Sequence, residues 1–88
     1  MADPDRLLEG EDPDTTDPEE VERWVGAYAE LLGFKHDVVG RAETSAERLP
    51  APAKPEAEAD LTLLRTERER LKRRYEFWQK RSAELRSR

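Results

Sequence analysis

His36 is the sole imidazole in the 88-residue chain, and no cysteine is present to join it as a metal ligand or nucleophile. The nearby acids Glu30, Asp37 and Glu43 do not compose a site with it. Adjacent residues on a helix point to different faces, and no HExxH pair, phosphate-binding glycine loop or GxGxxG turn occurs. His36 therefore reads as an ordinary exposed histidine, with a role in tuning association at an interface as the alternative, and neither catalysis nor a resident cofactor or metal is expected. The second concentration of chemistry is basic. Arg70, Arg73, Arg74, Phe77, Lys80 and Arg81 recur at helical spacing, with cations that suit phosphates or an acidic protein surface and one aromatic that could stack. Glu69 stands four residues before Arg73 and Glu76 four before Lys80, the usual decoration of a solvated helix.

A third pattern is a line of small residues. Gly26, Gly33 and Gly40 are seven apart, and each follows two apolar residues, Trp24-Val25, Leu31-Leu32 and Val38-Val39. On a helix they align with Ala29 and His36 into a bare stripe beside the apolar one. A glycine in a helix interior costs about 1 kcal/mol relative to alanine, unless close approach by another element offsets it. The stripe Gly26, Ala29, Gly33, His36 and Gly40, flanked by Val25, Leu32 and Val39, is thus the expected docking face for a helix from outside the chain. Water-facing glycines in a weak helix, or C-caps that break it at Gly33 or Gly40, are the alternatives.

The elements that carry these residues follow from punctuation and period. Residues 1–16 combine Pro4, Pro13 and Gly10 with many acids and one apolar pair, Leu7 and Leu8, a composition expected to stay disordered when free. Asp17-Pro18-Glu19-Glu20 reads as a helix start, with Asp17 as N-cap, Pro18 in the first turn and a capping-box glutamate at Glu20. From there Val21, Trp24, Tyr28, Leu31, Lys35, Val38, Ala42, Ser45 and Leu49 take the a and d positions of a heptad. Val25, Leu32, Val39 and Ala46 widen the stripe at e. Three prolines in 49–55 end the helix and make a semi-rigid loop. A second helix then carries Ala57, Leu61, Leu64, Arg68, Leu71, Tyr75, Trp78, Ser82 and Leu85 at alternating steps of three and four.

The expected architecture is all-α: an antiparallel, coiled-coil-like hairpin of helices 17–48 and 56–87 behind the acidic tail 1–16, completed to a four-helix bundle by dimerisation or by a partner. A hairpin folded near residue 53 sets Tyr28 opposite Trp78 and Ala42 opposite Leu64. It also sets Arg41 near Glu67, Arg48 near Asp60 and Phe34 near Arg74.

Charge divides along the chain within a net charge of −5. Residues 1–20 hold nine acids and one base, whereas residues 57–88 hold six acids and ten bases. The acidic head is expected to lie beside the basic end of the second helix and to shield it. The acidic N-terminus lacks the basic start of a signal peptide, and no apolar run approaches the roughly 20 residues of a membrane span. A cytoplasmic, non-enzymatic adaptor or regulator, acting by self-association or on a protein partner, is the reading that follows. Nucleic-acid binding through the basic helix is the alternative, with an acidic overall charge against it.

Overall fold

The computed structural model describes residues 6–88. Helix α1 runs Pro18–Glu47, a single 3-10 turn occupies Ala51–Ala53, and helix α2 runs Lys54–Arg86. The two helices pack against each other as a hairpin 56 Å long. No helix among the described residues is long and apolar enough to cross a membrane.

Helix α1 begins where its caps place it. Pro18 sits in the first turn, and Asp17 accepts from the backbone N–H of Glu19 at 3.0 Å rather than from residue 20. Glu20 does not close a capping box on Asp17; its carboxylate accepts from the Thr15 hydroxyl at 2.9 Å. The helix is continuous through Gly26, Gly33 and Gly40, so none of them is a C-cap. Helix α2 starts two residues earlier than the prolines suggest. The 3-10 turn at Ala51–Ala53 feeds directly into it, and Pro55 lies in the first turn, where no intrahelical N–H is needed.

The face that α2 turns to α1 is the one its heptads mark. Leu61, Leu71, Trp78 and Ser82 are buried and Leu64, Arg68, Tyr75 and Leu85 half-buried. On α1 the seam differs from the a and d reading. Val21, Tyr28, Val39 and Ala46 are buried, with Val25, Leu32, Lys35 and Ala42 half-buried, whereas Leu31 is 38% exposed and Ser45 is exposed. The seam therefore follows a and e, a roll of roughly 50° about the helix axis given 100° per residue. On the d side at this end of the hairpin lies a third segment, residues 6–17, with Gly10 bordering Trp24.

That segment also departs from the disordered tail expected for 1–16. Residues 1–5 of that tail lie outside the described residues. From Arg6 onward the head runs parallel to α2, from Arg70, which donates to the Arg6 carbonyl, to Arg81, which donates to the Thr15 carbonyl at 3.1 Å. Composition misses this because the segment is held by one buried carboxylate rather than by apolar area.

Cross-helix contacts keep the expected level and change the partners. Tyr28 and Trp78 share one buried cluster with Val21 and Leu71. The ion pair that bridges the helices joins Arg65 to Glu43 at 2.9 Å. Arg41 instead pairs with Asp37 one turn back on its own helix, and Glu67 with Arg70. Arg74 stacks over Phe77 at 4.5 Å, leaving Phe34 67% exposed.

Candidate functional site

The most constrained group in the molecule is the carboxylate of Glu11. Its position begins with a local turn, in which the Glu11 N–H donates to the Leu8 carbonyl at 3.0 Å and the Leu8 N–H donates to Glu11 Oε1 at 2.9 Å. Gly10 makes the turn with φ of +83°, a left-handed conformation that L side chains rarely adopt. A second turn follows, with the Thr15 N–H donating to the Asp12 carbonyl and the Asp14 N–H to the Asp12 carboxylate. Two successive turns hold the head against the hairpin and lead directly into the Asp17 cap.

The turn delivers Glu11 between the helices, where its side chain is 0% exposed. Tyr28 Oη donates to Oε1 at 2.5 Å, and Arg74 Nη2 and Trp78 Nε1 donate to Oε2 at 2.6 and 2.7 Å. The carboxylate thus accepts four hydrogen bonds, one local and three from the hairpin. Leu8, Trp24, Val25 and Tyr75 pack on the surrounding apolar cluster. Trp24 stacks against Trp78 with centroids 6.2 Å apart, and Phe77 meets Trp78 edge-on. This aromatic wall excludes water and fixes the orientation of two of the three donors.

Electrostatics follow from the geometry. Burial pushes the Glu11 carboxyl up, but the hydrogen bonds from Tyr28, Arg74, the Leu8 N–H and Trp78 outweigh it and hold the group below its usual range. Burial and the neighbouring Glu11 carboxylate push the Tyr28 phenol up to about 12. Burial works against the charge of Arg74, yet Glu11 more than compensates, so the guanidinium stays charged. The Arg74 Nε is buried without a hydrogen-bond partner, the one imperfect contact of the cluster. The arrangement fixes a carboxylate among donors in a closed space. The donors from the two helices are arranged to hold a carboxylate.

The residues expected to bind partners fall into three groups. Val39 is fully buried in the hairpin, and Val25 and Leu32 are half-buried against its core, so these three serve the seam rather than an outer face. This corrects the flank of the docking stripe, and the cause is the roll of α1. Gly26, Ala29, Gly33, His36 and Gly40 are exposed, and a Cβ added at any of the three glycines would meet nothing within 4 Å. No other part of the described chain approaches the glycines. Of the basic stripe, Arg70 and Arg74 are buried and Arg81 half-buried, all three donating to the head. Phe77 is partly exposed, Lys80 and Arg73 lie at the surface, and Arg73 too has an interaction partner. No group of acids and histidine able to hold a metal occurs among the described residues.

Sequence reasoning singled out Arg74 and Arg81 but missed Glu11. The signal was the pair of seam aromatics Tyr28 and Trp78 at one level. Each has a polar tip that needs a partner once buried, and neither can supply an acceptor suited to both. No family model matches the chain, and neither a curated protein nor a solved structure does.

Proposed function

We propose that the protein is a non-enzymatic interaction module, a small intracellular adaptor or regulator that works by packing its helical surface on a second copy or on another protein. The observation that carries this reading is a set of exposed large apolar side chains. Arg70 pairs with Glu67 and donates to the Arg6 carbonyl, which puts the start of the described head at that turn of α2. Leu7, Leu31 and Phe34 are all exposed. Leu63, 69% exposed, lies one heptad from Arg70 toward the loop, on the helix line that the head borders. Exposed large apolar side chains on a small chain become an interaction site when a partner covers them together.

The rival reading, phosphate binding by the basic helix, has less support, since Arg70, Arg74 and Arg81 are engaged by the head. Solution mass by light scattering over a hundredfold concentration range tests the proposal in its simplest form. A mass that climbs above 10.2 kDa and returns to it with Phe34→Glu supports association through this patch. A climb that Phe34→Glu leaves unchanged moves the interface elsewhere, and a constant monomer mass removes self-association.

A further inference from the structure

We propose that the groove between α1 and α2 is a binding site for acidic peptide segments, that the head is its resident ligand in cis, and that the groove accepts the same kind of segment in trans. The ligand class is an extended acidic segment with a leucine three residues before a glutamate, joined by a glycine turn, as in Leu8-Glu9-Gly10-Glu11.

The hairpin's half of the site is already assembled by contacts that do not involve the head. Trp78 is held by stacking on Trp24 and by Phe77, and Tyr28 is held in the seam with Val21 and Leu71. Arg74 is held over the Phe77 ring. Three donors from two helices therefore converge on a point that only an acceptor can fill, and a carboxylate accepts all three. Two further cations flank it along the groove. Arg70 and Arg81 donate to main-chain carbonyls of Arg6, Asp14 and Thr15, which any peptide in the same path presents.

The head behaves as a ligand rather than a layer of the core. Arg6, Leu7, Glu9, Gly10, Asp12, Asp14 and Thr16 face outward, and its grip on the hairpin reduces to Glu11, Leu8, Thr15 and backbone carbonyls. Away from the head, the helices pair through Val39, Ala46, Leu61 and the Glu43–Arg65 bridge. The groove is a different surface from the uncovered patch of Leu31 and Phe34, so either proposal can fail alone.

The test uses full-length chain and a fluorescent synthetic peptide of residues 6–17, read by anisotropy. In wild type the cis head competes at an effective concentration on the order of millimolar, so trans binding is weak. Full-length Glu11→Ala and, separately, Leu8→Asp are expected to bind the peptide at least about tenfold more tightly than wild type. A peptide carrying Glu11→Gln is expected to bind the same variants at least about tenfold more weakly, the loss of charge-assisted hydrogen bonds. Three results would overturn the proposal. They are failure of both helical variants to bind, equal binding of the two peptides, and equal displacement by an oligonucleotide of the same net charge. Loss of helical circular dichroism in both variants would overturn it too, since the head would then be part of the fold.

Discussion

Replacing Glu11 by glutamine keeps the volume of the side chain and removes its charge, which makes it the sharpest perturbation of the head. In wild type the Arg74 side chain is 11% exposed and its charge is met by a fully buried carboxylate at 2.6 Å. Removing one partner of a buried pair costs about 3–5 kcal/mol, because the other charge is left uncompensated. Here the loss is bounded. Once the docked state costs more than it returns, the head releases, water reaches Arg74, Tyr28 and Trp78, and no further stability can be lost through this cluster. The lower end, about 3 kcal/mol, is therefore expected. At about 4–8 °C per kcal/mol for a chain of this size, the midpoint should fall by roughly 10–25 °C. Thermal and urea unfolding followed by far-ultraviolet circular dichroism gives the stability, and tryptophan emission reports the cluster directly, since Trp78 donates to Glu11. A loss below about 1 kcal/mol with unchanged emission would refute the claim that Glu11 holds the head, because exposed substitutions alone stay within about 0.5 kcal/mol. A double-mutant cycle with Tyr28→Phe should give a coupling of about 1 kcal/mol or more if both act on one carboxylate.

The same cluster predicts a pH dependence at both extremes. The Glu11 carboxyl is held below 4.5, so its stabilisation is present above that value and is lost as pH falls through the folded-state value, a loss that Glu11→Gln should abolish. The Tyr28 phenol is raised from 10.0 to about 12, so stability should drop between those values as the unfolded chain ionises first, and Tyr28→Phe should remove this step from an alkaline unfolding series. Converting Gly26, Gly33 and Gly40 together to alanine should stabilise the isolated chain by roughly 2–3 kcal/mol in urea unfolding, since each Cβ enters open space. Destabilisation would instead show that the backbone there is approached closely in solution by something outside the chain.

The helices were legible because their ends are written in residues with few conformational options: Asp17-Pro18 at one start, prolines at the turn and Pro55 at the other start. The inner face of α2 was legible for a related reason, since only one stripe of it is apolar. Helix α1 is different. Its doublets Trp24-Val25, Leu31-Leu32 and Val38-Val39 make the d and e stripes equally apolar, so periodicity alone cannot say which one meets α2. The third element, which lies on the d side at Trp24, was illegible to composition. One glutamate among nine acids in the first twenty residues carries no mark of its burial until three donors from distant positions are seen to converge on it.

The doublets also bear on the proposed association surface. In each, the second residue goes to the seam, as Val25, Leu32 and Val39 do. The first is half-buried in Trp24 and Val38 and exposed in Leu31, and the glycine after it faces out. Trp24, in the first doublet, packs on the core cluster beside the head. Leu31, in the second, is left exposed, as is Phe34 three residues on. An apolar first position in every doublet is physically useful only if something lies against all three, since an exposed apolar side chain gains nothing from water. The head accounts for one doublet. Leu31 is the one first position left exposed, and the choice of Phe34, three residues on, as the residue to charge follows from that unequal cover.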